Sequence, residues 1–129
     1  MCNNIRGGKH MSTSNYGVWT GIAGTGVVPF RLVTLAAGGV VQLCASNVKP
    51  VGATCGQADG GGQIPVRPLQ SGIVKVAVKA EDAIVSGDQI ELADDGCVAK
   101  KNSGTAIGVA RTGATSGATQ LAVIEAVFY

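Results

Sequence analysis

The side chains that most often carry out catalysis are few in this chain and are not paired with one another. The only histidine, His10, lies in a segment rich in Gly, Ser, Thr and Asn, where it could not be held in place as a general base. A serine or cysteine nucleophile would need such a base. The adjacent carboxylates Glu81 and Asp82, like Asp94 and Asp95, are expected to be turn residues rather than an acid–base pair. We therefore expect that the protein is not an enzyme.

The cysteines and glycines also lack the spacing of a cofactor site. The four cysteines form no CxxC pair and have no histidine close by, which excludes the usual metal-site spacing; they are Cys2, Cys44, Cys55 and Cys97. The GIAGTG stretch at 21–26 lacks the Gly-Lys-Ser/Thr ending and the following helix of a phosphate loop. We expect no cofactor and no metal.

The start of the chain has no apolar core long enough for a signal peptide, so we expect synthesis in a reducing cytoplasm. Four free thiols are then the default expectation. Cys44 and Cys55 could face each other across adjacent strands, although nothing in the sequence requires it.

The composition favours a weakly charged protein that associates with itself. The 129 residues fit one domain, and 14% of them are charged, against about 25% in a typical protein. With few charges to repel neighbours, a homo-oligomer is expected. The net charge of +2 is too small to indicate nucleic acid binding. The uncharged run 32–48 is interrupted by polar residues and glycines, so no membrane helix is expected.

The charges are unevenly distributed along the chain. Residues 1–58 carry four basic residues and no acidic one, whereas 59–129 carry six basic and eight acidic residues. Six of the acids fall within residues 81–95. We interpret these acids as solvated turn residues at one end of a barrel. The alternative is a polar molecule that sits with a defined side against a charged surface.

The stretch 73–98 has the alternation of β-strands. Val74, Val76 and Val78 alternate with other residues, which is the period of a strand with one buried face. A second alternating strand covers 89–93, and the Asp95-Gly96 pair after it predicts a tight hairpin turn.

The two halves of the chain repeat one another. Val33, Leu35, Gly39 and Val41 match Ile90, Leu92, Gly96 and Val98 at a constant spacing of 57 residues. Gly52 matches Gly108 after a one-residue adjustment. Because so short a unit cannot bury its own apolar face, we predict an all-β fold: a small β-barrel or β-sandwich made of two pseudo-repeated β units. We assign four structural turn glycines: Gly39, Gly52, Gly96 and Gly108.

The first 27 residues are predicted to be a flexible, extended N-terminal arm, and 28–129 the barrel or sandwich domain. The arm is too polar to bury much apolar surface. Its candidate partner-contact residues are Arg6, Lys9, Tyr16 and Trp19. Trp19 either folds back onto its own barrel or anchors the arm in a groove of a neighbour.

Several stretches of the chain resemble a known family. The segments AIVSGDQIEL, DGCVAKKNSGTAIGVA and GATQLAVIEA, within a similarity that covers about residues 27–129, are similar to the small capsid decoration, or cement, proteins of tailed bacteriophages. The resemblance implies a β-barrel or β-sandwich on the outer surface of the virion, where it binds the major capsid protein and reinforces joints between its subunits, often as a homotrimer. That family has no active site.

The strands alone also fit a second class, a small β-barrel binding or carrier module such as a receptor- or carbohydrate-binding appendage. A carrier domain would present a lysine at a hairpin tip, whereas Lys100 and Lys101 follow a hairpin strand. Carbohydrate stacking would favour more aromatic residues than the 4% in this chain. The resemblance therefore favours the structural function.

Overall fold

The computed structural model describes residues 18–45, 48–56, 62–70 and 72–129. The described part of the chain folds into twelve strands and two 3₁₀ turns, and it contains no α-helix. The strands are β1 (Trp19–Ala23), β2 (Leu32–Leu35), β3 (Val40–Leu43), β4 (Gly52–Thr54), β5 (Gln63–Pro68), β6 (Ile73–Ala77), β7 (Ala83–Ile84), β8 (Gln89–Leu92), β9 (Val98–Lys100), β10 (Ala106–Ala110), β11 (Ala114–Thr115) and β12 (Val123–Phe128). The predicted all-β class is confirmed.

The two halves of the chain have the same strand order. β1 to β5 form a closed barrel in the order β1-β3-β2-β4-β5, in which β1 pairs in parallel with β3 and antiparallel with β5. The second five-stranded sheet has the order β6-β12-β10-β8-β9, and a parallel bridge between Val78 and Val98 joins its two ends. Within the described residues, the short β7·β11 pair alone has no counterpart in the first half. The predicted repeat is therefore confirmed.

The arrangement of the two units differs from two halves of one barrel. Each unit forms its own five-stranded sheet, because the parallel pairing of its first and third strands closes the sheet within the unit. The units nevertheless share a core. Leu32, Cys44 and Ala53 of the first unit lie in one buried cluster with the inward-facing valines and isoleucines of the second unit. A separate cluster, which includes Val33 and Val41, fills the first barrel.

The predicted alternation in β6 is confirmed on its buried side. Val74, Val76 and Val78 are buried, and Lys75 is exposed. Ala77 is buried as well, although it lies on the other side of the strand. Its backbone N–H donates to the carbonyl of Phe30, and the side chain packs in a small cluster with Ala93, Cys97 and Ala99.

Three of the acids in residues 81–95 hold backbone segments in place. The carboxylate of Asp82 accepts a hydrogen bond from the N–H of Lys100, and that of Asp88 accepts one from Val85. The carboxylate of Glu91 accepts from Asn102 and, at 2.7 Å, from Gly104. Asp94 and Asp95 lie in the 3₁₀ turn before β9. Asp82, Asp88, Asp94 and Asp95 lie in turns or loops, as interpreted from the sequence, whereas Glu91 lies in β8.

The four assigned turn glycines divide into two kinds. Gly39 and Gly96 lie in hairpin turns with φ of 82° and 73°, which confirms their assignment. The assignment of Gly52 and Gly108 is wrong, because both lie in strands. A Cβ on Gly52 would stand 2.7 Å from the Arg67 carbonyl oxygen, and one on Gly108 would stand 2.5 Å from that of Val127. These glycines let a neighbouring strand approach closely.

The described part of the predicted arm belongs to the barrel. Trp19–Ala23 form β1, which has hydrogen-bonded neighbours on both sides, and Val27 is buried in the first barrel. The barrel therefore begins before the predicted boundary at residue 27. The strand was missed because two of its inward positions, Gly21 and Ala23, carry little apolar surface, whereas the large apolar side chain of Ile22 faces outward.

The two turn glycines allow a matched test of backbone strain and contact. Around Gly39 a Cβ meets nothing within 4 Å, so Gly39→Ala is expected to cost only the strain of positive φ, about 1–2 kcal/mol. At Gly96 a Cβ would stand 2.4 Å from the Leu32 carbonyl oxygen, so Gly96→Ala adds a steric clash and is expected to cost about 2–5 kcal/mol. Urea unfolding of both variants measures the difference, and equal losses would contradict it.

Trp19 is expected to contribute to folding because it packs on the core of the first barrel. Since the side chain is half-buried, we expect Trp19→Ala to lower the free energy of unfolding by about 2 kcal/mol, below the value for a fully buried tryptophan. Trp19→Phe is the control, because it keeps a ring in the same place and is expected to lose less. Unchanged thermal unfolding in both variants would show that the packing contributes nothing.

Candidate interaction surface

Two kinds of site are absent from the described residues. Among them, no group of three or more His, Cys, Asp and Glu side chains is placed to hold a metal ion. No helix in the described part is long and apolar enough to cross a membrane. Lys100 ends β9, and its backbone N–H is bonded to Asp82, so it does not cap the hairpin tip at Asp94–Gly96.

The cysteines divide into buried thiols and a disulfide. Cys44 and Cys97 are free and buried. Burial raises the pKa of Cys44 from 9.0 to about 11. Burial also raises the pKa of Cys97, while Arg31 lowers it and Asp95 raises it. Cys55 is disulfide-bonded, so the expectation of four free thiols is wrong; because Cys44 is free, a Cys44–Cys55 pair is also excluded.

Of the predicted partner-contact residues, the structure describes only Trp19. It packs against the core cluster of its own barrel, with its ring 3.1 Å from where a Cβ on Gly21 would stand. The structure therefore favours the interpretation in which Trp19 folds back onto the barrel. Arg6, Lys9 and Tyr16 lie outside the described residues.

An exposed apolar row crosses three strands of the second sheet. Val127 of β12 lies opposite Val109 of β10 on one side and opposite Ile73 of β6 on the other. Ile73 and Val127 are 44% and 46% exposed, and Val109 is half-buried. We call the outer side of these strands the β6–β12–β10 face.

A charged row lies next to the apolar one on this face. Lys75 is the register partner of Glu125, and the Arg111 guanidinium forms an ion pair with the Glu125 carboxylate. The charges therefore run positive, negative, positive across the sheet. Because Arg111 is 53% exposed, this ion pair adds only about 0.2–1 kcal/mol to stability.

The face continues at both ends. Beyond the charged row, Phe30, Lys75, Thr112 and Val123 are among the residues that line a depression of about 360 Å³. At the other end stands Tyr129, which is 61% exposed.

Tyr129 is held in place by two glutamines. Its carbonyl oxygen accepts a 2.7 Å bond from Gln70, and Gln89 donates to its hydroxyl at 3.3 Å. The chain thus presents an aromatic side chain beside the apolar row.

Sequence reasoning missed this face. The signal was present in residues 123–128, where Val123 and Val127 accompany the inward-facing Ile124, Ala126 and Phe128. The outer side of this strand is thus apolar at both ends, with Glu125 between them, and only the inner side faces the core.

A second concave surface lies between the two units. A groove of about 690 Å³ is lined by Val48, Lys49 and Pro50 of the first unit and by residues of the second unit that include Glu91, Leu92 and Ile107. Its one cation and one carboxylate leave it close to neutral. The groove therefore does not select a charged ligand by its net charge.

Comparison with known proteins gives a similarity in structure. No protein-family model and no curated protein matches the chain. Among solved structures, the chain is similar to one described as the crystal structure of head fiber gp8.5 N base in bacteriophage phi29, with 23% identity and a TM-score of 0.66. The match covers 87% of this chain and 92% of that one. At this identity the likeness establishes the fold.

The raised pKa of Cys44 predicts a loss of stability in alkaline solution. Between about pH 9 and pH 11 the unfolded chain loses the thiol proton while the folded protein keeps it, so the free energy of unfolding falls as the pH rises. We expect Cys44→Ala to show a shallower fall over this range, because the two proteins differ only in this thiol. Urea unfolding from pH 8 to 11 makes the comparison, and parallel curves would contradict it.

Proposed function

We propose that this protein is a structural subunit on the outside of a bacteriophage head. The observation that carries the proposal is the structural likeness to the phi29 head fiber base, which extends over nearly all of both chains. That neighbour is by its description a part of a head fiber, and the sequence resemblance to capsid decoration proteins favours the same location independently.

In finer detail, the protein binds the major capsid protein and stabilises contacts between capsid subunits. It acts as a homo-oligomer, most simply a homotrimer, is made in the host cytoplasm and ends on the outer surface of the virion. The low charge and the exposed apolar row support lasting association with other protein surfaces.

The fold suits a subunit that has to resist force. In the described part, the first sheet is a closed barrel and the second is joined end to end by a bridge, so few strand edges are left unpaired. The shared core around Leu32 and Ala53 ties the two units together. A load applied to one unit is therefore passed to the other through buried contacts.

The basic first part of the chain supplies the attachment to the capsid in this proposal. Residues 1–58 carry no acid, and Arg6 and Lys9 precede the barrel. Such a segment can meet carboxylates on a capsid surface, with Tyr16 adding an aromatic contact. Trp19 is left out of this contact because it packs on the first barrel.

A sedimentation assay tests the proposal. Heads of the virus that encodes the chain, prepared without it, are mixed with the full chain, pelleted and analysed for bound copies per head. We expect saturable binding at a fixed ratio to the major capsid protein and a higher temperature of head disruption. If the chain stays in the supernatant at all concentrations, the proposal is wrong.

The same assay tests the contribution of the basic segment. Arg6→Glu combined with Lys9→Glu reverses the basic charge and leaves β1 and all four cysteines unchanged, so we expect this variant to melt as the full chain does. It should need at least a tenfold higher concentration to saturate heads at low salt, and a smaller increase at high salt. Equal binding by the variant and the full chain would show that the basic residues do not contribute to attachment.

A further inference from the structure

The β6–β12–β10 face has a counterpart in the first unit, which the strand registers identify. In the first unit Gly52 lies opposite Pro68, and Ala53 lies opposite Arg67. In the second unit Gly108 lies opposite Phe128, and Val109 lies opposite Val127. Gly52 thus corresponds to Gly108, the pair already matched in sequence.

The correspondence extends along the row. Ala53 lies opposite Leu32 in the first unit, as Val109 lies opposite Gln89 in the second. The row Leu32, Ala53 and Arg67 is therefore equivalent to the row Gln89, Val109 and Val127.

The two equivalent rows have different surroundings. Leu32 and Ala53 are 0% and 1% exposed, because the second unit covers them and takes them into its core. Val127 is 46% exposed, and Gln89 is exposed. Within one chain, the same face of the β unit is covered once by another β unit and left open once.

Two substitutions change the polarity of the open row. Gln89 takes the place of Leu32, and Val127 takes the place of Arg67. The open row is therefore polar at the Gln89 end and apolar where Val109 and Val127 stand. This mixture is typical of a contact between subunits rather than of a core within one chain.

The charged row indicates the kind of partner. Lys75, Glu125 and Arg111 alternate in sign across the face. A uniformly acidic or basic partner would bring a like charge against at least one of them, which disfavours binding. A second row with the same alternation, displaced by one strand, would place opposite charges together. Another copy of this chain carries such a row.

We propose that the β6–β12–β10 face is the contact through which copies of this chain associate. The inference rests on the oligomer of the proposed function and names the surface that forms it. Association uses this face rather than a strand edge, since the barrel of the first unit is closed and the ends of the second sheet are bridged.

A matched pair of substitutions tests this proposal. Ile73 lies on the face and is 44% exposed, whereas Ile22 lies on β1 of the first barrel and is 46% exposed. Both are strand residues, so Ile73→Glu and Ile22→Glu introduce the same charge at the same exposure. Sedimentation velocity from 1 to 100 μM measures association, and thermal unfolding by circular dichroism checks that each variant is folded.

We expect Ile73→Glu to weaken association at least tenfold while Ile22→Glu associates as the unaltered chain does. If Ile73→Glu unfolds, Val127→Thr replaces it, because threonine keeps the shape and the strand preference of valine while removing apolar surface; it should weaken association severalfold. Association unchanged in the folded variants, or lost equally in Ile22→Glu, would overturn the proposal.

The outcomes separate this inference from the proposed function. If the unaltered chain is monomeric, both the proposed oligomer and this interface are rejected. Head binding is then tested separately by the pelleting assay. If the oligomer persists in both Ile73→Glu and Val127→Thr, only this interface is rejected. A chain that associates through the face but does not pellet with heads keeps the inference and rejects the location on a phage head.

Discussion

The contact between Gly96 and the backbone of Leu32 fixes the second unit on the first. The N–H of Gly96 donates to the carbonyl of Cys44 at 3.0 Å, and the Arg31 guanidinium donates to the carbonyl of Asp95. A side chain at Gly96 would meet the Leu32 carbonyl oxygen, so this turn reaches its place only as glycine. The hairpin therefore packs against β2, the strand that contributes Leu32 to the shared core. This contact positions the second sheet relative to the first.

The shared core then decides which surfaces stay open. Leu32, Cys44 and Ala53 complete the core of the second unit. The outer face of the first unit is therefore partly buried against the second unit. The equivalent face of the second unit has no such cover in the described structure. An internal repeat that packs asymmetrically in this way leaves one copy of its binding face available, and this is the physical basis for inferring a partner of the same kind.

The scarcity of charge and the local use of acids are connected. The carboxylates of Asp82, Asp88 and Glu91 accept hydrogen bonds from backbone N–H groups at the end of β9 and in loops, where an unpaired donor would be costly. They stabilise loops rather than recognise a partner. The β6–β12–β10 face, by contrast, combines an exposed apolar row with a charged row on neighbouring strands.

The sequence by itself determined the strands with one buried face, the glycine turns and the repeat. These follow from local rules: Val74 and Val76 alternate with exposed residues, and Gly39 and Gly96 adopt a φ that other residues avoid. Only the tertiary structure decided that each unit closes its own sheet, since the parallel pairings within each unit join segments distant in the chain. It also decided that Trp19 belongs to the barrel and that Val127 stays open. A period of two says which residues share a face of a strand, but what covers that face depends on contacts far away in sequence.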